Sequence, residues 1–137
     1  MIVQAAVLLA GETPRYSELA WEDSRNHDLS LTLVLFTERR VVLVGLTIKA
    51  EGRTTDASAT SAKAETWPSS KLCHLSLDGA GAIRANANDD VPLPHTCGWR
   101  LTFEGRAEPL RLPLSADADR DQRLQAAQLA HELMQHL

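Results

Sequence analysis

An α+β domain of about seven antiparallel strands, forming a bent sheet or partly open barrel capped by one C-terminal helix, is the fold this sequence predicts. Three observations predict it. Apolar residues recur with period two through most of the structured stretches, one terminal stretch alone repeats at three- and four-residue spacing, and two polar, turn-rich segments separate the strand blocks. A strongly bent sheet leaves an open end, and an amphipathic helix can bury its stripe there.

Taken in order, the opening MIVQAAVLLAGE is apolar for about nine residues and carries no Lys or Arg before that run, too short to cross a bilayer and poor as a signal peptide. It reads as a first strand of a cytoplasmic protein. LSLTLVLF places Leu29, Leu31, Leu33 and Leu35 on one face. RVVLVGLTI is nearly continuous in β-branched residues and leucine, and the polar TERR joins the two runs into a hairpin from about Leu29 to Ile48. KLCHLSL sets Cys73, Leu75 and Leu77 on one side, which predicts a core cysteine. WRLTFEG sets Trp99, Leu101 and Phe103 against Arg100, Thr102 and Glu104. PLRLPL aligns Leu110, Leu112 and Leu114, with Pro113 confining that strand to an edge or ending its ladder.

The terminal helix is expected over about 117–136, where Ala126, Leu129, Ala130, Leu133, Met134 and Leu137 form one stripe. Asp117, Asp119 and Asp121 crowd its first turn, where carboxylates cap free N–H groups and meet the positive end of the dipole. Two long polar loops are expected, about 50–66 and 79–98, the first low in complexity and the second rich in turn residues. Loops of that length in a compact domain are functional or disordered.

The whole chain, 137 residues and 15.0 kDa, is expected to be a single domain, 1–137, large enough to bury roughly two-thirds of its unfolded surface. A net charge of −4 and a pI near 5.7 argue against nucleic acid as a partner. Two cysteines, Cys73 and Cys97, are too few for a disulfide scaffold, and a bridge between them is not expected in a cytoplasmic protein. The excess of arginine over lysine and the abundant alanine are the habit of a GC-rich bacterial genome.

The motifs that carry chemistry fail on spacing. HELMQH has the look of a zinc signature, but His131 and His136 are five apart, separated by roughly 140° around a helix where an i, i+4 pair would be about 40° apart. They read as solvated residues on opposite flanks. DADRDQRLQAAQ begins like a calcium loop, yet Gln122 stands where glycine is needed and Gln128 where the bidentate glutamate belongs. GAGAIR lacks the third glycine of a dinucleotide turn. Cys73 and His74 with His95 and Cys97 are ligands of a suitable type, but neighbouring strand residues point to opposite faces and need a bulge to share an ion. A Cys/His metal-dependent enzyme is therefore the remote alternative; no catalytic residue, metal ligand or cofactor is predicted.

Two segments resemble a known family. LFTERRVVLV resembles the Leu-Thr-Asp-Arg-Arg hairpin of bacterial pleckstrin-homology-like and GRAM-like domains, with Thr37, Arg39 and Arg40 matching, and WPSSKLCHL resembles the strand that follows it, with Pro68, Ser70, Leu72 and Leu75 matching. The order of hairpin, Pro-x-Ser-x-Leu segment, second hairpin and last helix also agrees from Leu29 to Leu137. The resemblance implies a non-catalytic binding or adaptor module. Departures from it are the long Ala/Ser/Thr insertion and the missing basic early loop that grips phosphoinositides in lipid-binding members; AGETPRYSEL offers only Arg15 between Glu12 and Glu18.

Partners are expected accordingly to be another protein or a second copy of the chain, met through a sheet edge or the long loops. Peripheral binding of anionic lipid headgroups is the alternative, with Arg39, Arg40, Lys49 and Arg53 as its candidate ligand-binding residues. Thr37 and Glu38 are expected to form the hairpin turn while one arginine pairs with a carboxylate. Trp21, Trp67 and Trp99 are expected in core or rim packing.

Overall fold

The computed structural model describes residues 2–23, 28–49, 61–78 and 98–137. Its order is α1 (Ile2–Leu9), β1 (Tyr16–Asp23), β2 (Leu29–Phe36), β3 (Arg40–Ile48), β4 (Ser61–Pro68), a 3-10 turn (Ser69–Lys71), β5 (Leu72–Asp78), β6 (Gly98–Phe103), β7 (Leu110–Leu112) and α2 (Arg120–Met134). The strands pair as two antiparallel sheets, β1-β2-β3-β4 and β5-β6-β7, so the α+β class is as expected. The chain divides into two compact units, Met1–Ser70 and Lys71–Leu137.

In the first unit the opening segment is a helix, correcting the strand read from its apolar run. Its buried Ala5 and half-buried Leu8 and Leu9 recur at helical spacing and pack on Leu33, Leu35, Val42 and Val44. Gly11, at φ 81°, ends it in the left-handed conformation that only glycine adopts freely, and the Glu12 N–H donates to the Leu9 carbonyl at 3.0 Å. This helix explains why β3 reads as a continuous apolar run rather than an alternating one. Val41 is buried on one face of the strand while Val42 and Val44 are buried under α1 on the other, so both faces exclude water.

The register Leu29↔Ile48 to Phe36↔Val41 confirms the expected hairpin. Strand β4 lies where the first polar loop was expected to run on to residue 66. It has almost no apolar face and is held by a continuous ladder to β3, from Arg40↔Pro68 to Thr47↔Ser61, with Thr66 Oγ1 donating to the Val41 carbonyl at 3.0 Å. Main-chain pairing, invisible in a hydrophobicity pattern, makes this strand. The remainder of that loop, 50–60, and residues 79–97 of the second lie outside the described residues; Gly98, the last residue of the second, opens β6.

In the second unit Trp99, Leu101 and Phe103 form the buried face of β6 as the alternation predicts, and Leu110 and Leu112 of β7 join them. Strand β7 stops before Pro113, which cannot donate to a ladder. The turn between them places Gly105 at φ 82°, with the Arg106 N–H donating to the Phe103 carbonyl at 3.2 Å. Helix α2 packs on β6 and buries Ala126, Ala127, Leu129, Ala130 and Leu133.

Helix α2 is shorter than the expected 117–136. Asp119 is its N-cap and accepts from the Gln122 N–H at 2.8 Å, which leaves Asp117 in the preceding turn, where its N–H donates to Ser115 Oγ at 3.2 Å. Arg123 donates from Nε to the Ala118 carbonyl and from Nη2 to the Ala116 carbonyl, fixing the approach to the helix. Met134 and Leu137, assigned to the stripe from spacing alone, are exposed because the helix ends at Met134. Asp119→Ala is expected to lower stability by about 1 kcal/mol and Asp119→Asn by much less, read from urea denaturation midpoints.

Candidate functional site

The β2–β3 turn is organised by one buried hydroxyl. Thr37 Oγ1 accepts from the Arg40 N–H at 3.0 Å and the Arg39 N–H at 3.2 Å, and it donates to Glu12 Oε2. A short polar side chain that bonds its own following backbone is the usual way to close such a turn. The same carboxylate faces Arg40: Nε lies 3.3 Å from Glu12 Oε1, near enough for an ion pair but out of line for a hydrogen bond. Arg40 Nη1 also donates to the Leu8 carbonyl at 3.3 Å, near the end of α1. Thr37, Arg40 and Glu12 thus fasten the helix to the hairpin.

The other end of the turn is tied to β4. The Ser69 N–H donates to the Arg39 carbonyl at 2.9 Å and Ser69 Oγ to the Glu38 carbonyl at 3.1 Å. Within the Pro-x-Ser-x-Leu segment it is Ser69 that makes this tie, while Ser70 is exposed. A shallow cleft of about 270 Å³ opens beside the turn, lined by Arg39, Arg40, Thr66, Trp67 and Pro68. Arg39 and Arg40 therefore share one concavity. Lys49 follows the far end of β3, about 30 Å from them along the strand. Arg53 lies outside the described residues.

A second feature escaped the sequence reading. Among the described residues strand β1 is an outer strand of its sheet, and its binary pattern is inverted. Tyr16 and Glu18 are buried on one face, where Tyr16 Oη donates to Glu18 Oε2 at 2.8 Å, while Leu19 is 50% and Trp21 69% exposed on the other. Trp21 is thus neither core nor rim, whereas Trp99 is buried and Trp67 half-buried.

Leu19 and Trp21 sit opposite Leu33 and Leu31 of β2. Helix α1, about 12 Å long against about 26 Å for the strands, packs mainly over β3 and β4 and meets Leu33 and Leu35 of β2, while Leu19 and Trp21 stay exposed. The opposite edge of the sheet is blunted: β4 carries Lys63, exposed and 3.1 Å from Glu65, and ends at Pro68. Strand β1 has neither lysine nor proline.

Strand β5 holds the remaining surprise. Leu72 pairs with Phe103 and His74 with the adjacent Thr102, so Cys73 is the extra residue of a β-bulge. The bulge sets Leu72 opposite Phe103, as Leu75 and Leu77 stand opposite Leu101 and Trp99, although Leu77 itself is 58% exposed. Cys73 is exposed rather than core, its Sγ 3.3 Å from the Thr102 carbonyl. Among the described residues no three His, Cys, Asp or Glu side chains are placed to hold a metal ion; His95 and Cys97 lie outside them. His131 on α2 and His136 beyond its end are exposed. No helix among the described residues is long and apolar enough to cross a membrane.

Neither a family model nor a curated protein matches the chain. The solved structures similar to it include the following two. One is a pleckstrin homology domain from Shewanella amazonensis SB2B, with 17% identity, 91% of this chain and 83% of that one covered, and a TM-score of 0.40. The other is a DUF1696 family protein with a pleckstrin-homology domain from Shewanella loihica PV-4, with 15% identity, 93% of each chain covered, and a TM-score of 0.39. Both carry the fold name that the Thr37–Arg40 and Pro68–Leu75 segments resemble.

Proposed function

We propose that this chain is a non-catalytic binding module that takes another protein at the β1 edge of its four-stranded sheet. The observation that carries the reading is the inverted pattern of β1, with Leu19 and Trp21 turned outward on an outer strand that lacks the usual blocking residues. Sequences break local rules of this kind at functional sites and compensate elsewhere. An incoming extended segment would cover Leu19 and Trp21 with its alternate side chains.

The test is a titration of the whole chain with extended eight-residue peptides that alternate valine and threonine. Amide resonances of β1 are expected to shift, and Trp21→Ala is expected to weaken binding at least tenfold while leaving the unfolding free energy within about 0.5 kcal/mol, since the ring is mostly exposed. Lys63→Ala, on the opposite edge, is expected to change neither. Shifts on β4 instead of β1, or affinity indifferent to Trp21, would refute the reading.

The cleft between Arg39 and Trp67 favours a second reading, anionic lipid headgroups. Its electrostatic support is thin, because Arg40 is already paired with Glu12 and each basic residue near an anionic surface contributes about 1 kcal/mol. Pelleting with phosphatidylserine vesicles at low salt, lost in Arg39→Glu, would carry that reading. Absence of pelleting would remove it.

A further inference from the structure

We infer that the cleft beside the β2–β3 turn is a binding site for a single carboxylate carried on a small apolar body, the chemistry shared by a free aromatic acid and by the last residue of a protein chain. The inference stands apart from the β1 edge reading and uses none of its residues. It differs from the headgroup reading of the same cleft in the charge and the bulk of what the cleft admits.

Charge decides the first point. The lining of Arg39, Arg40, Thr66, Trp67 and Pro68 holds two cations and no acid, but the two cations are not equivalent. Arg40 Nε lies 3.3 Å from Glu12 Oε1 and Nη1 donates to the Leu8 carbonyl, so this charge is answered and its side chain held before any ligand arrives. Arg39 is exposed, and among the described residues its guanidinium has neither a hydrogen bond nor an ion pair. Its main chain is fixed all the same: the N–H donates to Thr37 Oγ1 at 3.2 Å, and the carbonyl accepts from the Ser69 N–H at 2.9 Å. A cation on anchored backbone has less freedom to lose when it closes on an anion. A guanidinium meets a carboxylate through two parallel N–H donors, so Arg39 alone can hold one. A phosphate monoester carries about −1.5 to −2 at neutral pH, and its second charge would find no unanswered cation in the lining.

The walls decide the second point. At about 270 Å³ the cleft falls just below the roughly 300–1,000 Å³ of sites that enclose drug-sized ligands, which leaves room for one residue-sized group. Trp67 and Pro68 give it apolar surface. Thr66 Oγ1 has its proton engaged by the Val41 carbonyl and offers a ligand no donor, which leaves Arg39 to fix the anionic end.

The test follows the amide and indole N–H resonances of the whole chain during titration with N-acetylphenylalanine, its C-terminal amide, N-acetylglycine, inorganic phosphate and a phenylalanine-terminated tetrapeptide. N-acetylphenylalanine is expected to shift Arg39 and Trp67. Its amide, without the charge, and N-acetylglycine, without the apolar body, are each expected to bind about fivefold more weakly. Arg39→Gln, which leaves both main-chain bonds of Arg39 in place, is expected to bring the acid down to the level of the amide and to leave the amide unchanged. A tetrapeptide at least tenfold tighter than the free acid would make the source a protein C-terminus, and equal affinity would make it a small molecule. Acid and amide binding alike, or shifts that miss Arg39 and Trp67, would overturn the inference. Phosphate shifting these residues at lower concentration than the acid would overturn it in favour of headgroups. None of these outcomes bears on the β1 edge, which the valine–threonine peptides test separately.

Discussion

Replacing Phe36 by alanine is expected to lower the stability of the first unit by about 3–5 kcal/mol, the range for deleting a fully buried aromatic side chain. That is a fifth or more of what holds a typical domain together, about 5–15 kcal/mol. Phe36 is completely shielded at the end of β2, and the Tyr16 ring meets it edge-on, 6.1 Å between centroids at 82°. Such a pair contributes roughly 0.5–1.5 kcal/mol beyond the area it buries. The Phe36 carbonyl also accepts from the Arg15 N–H at 2.7 Å, fixing where β1 begins. Loss of the ring should therefore loosen β1 as well as β2, and with it the position of Leu19 and Trp21. Phe36→Leu, which keeps most of the volume, should fall well short of the alanine variant. Urea denaturation gives the size, and amide exchange along Tyr16–Glu22 gives the place. A change under about 1 kcal/mol for Phe36→Ala would mean that this packing is not what orders the edge.

The class of the fold was legible because it depends on features that survive local errors. Alternation in β2 and β6 and helical spacing in α2 are signals that many residues share. Individual elements failed where a different force decided them. The opening run was read as a strand because its apolar residues have no clear period; Ala5, Leu8 and Leu9 form a helical face only once the sheet supplies a surface for them. Strand β4 has no apolar face to reveal it and exists through its ladder to β3. The single bulge at Cys73 left the cysteine exposed and Leu72 and Leu75 half-buried, and nothing in KLCHLSL announces an extra residue.

The candidate site divides the same way. The resemblance drew attention to Thr37, Arg39 and Arg40, and the structure gives Thr37 and Arg40 bonds that organise the turn and hold α1. Glu12, the carboxylate they share, lies 25 residues before Thr37, beyond the reach of any local pattern. Strand β1 stayed hidden for the opposite reason. Its alternation is present but reversed, and a reader who expects apolar residues inward sees Tyr-Ser-Glu-Leu-Ala-Trp as irregular chain. The residues that point to a partner are thus the ones that make the strand hard to see.

Thr37→Val is expected to be the most damaging change of a polar side chain, at about 3 kcal/mol. Valine has nearly the shape of threonine, so packing is kept and the loss isolates the hydroxyl. With Oγ1 gone, the Arg39 and Arg40 N–H groups lose an acceptor and Glu12 loses a donor, in a place where Thr37 is only 1% exposed. Each buried polar group left without a partner costs about 1–3 kcal/mol, and water can reach part of this site through the half-buried Glu12, which keeps the sum below the maximum. Thr37→Ser retains the hydroxyl and should lose under about 1 kcal/mol. Because Glu12 also faces Arg40, the double variant Thr37→Val with Glu12→Gln should lose less than the two single losses added together, the mark of residues in one network. If Thr37→Val and Thr37→Ser unfold at the same urea concentration, the hydroxyl is not what binds the helix to the hairpin, and packing of Ala5 and Leu9 on β3 must carry that contact alone.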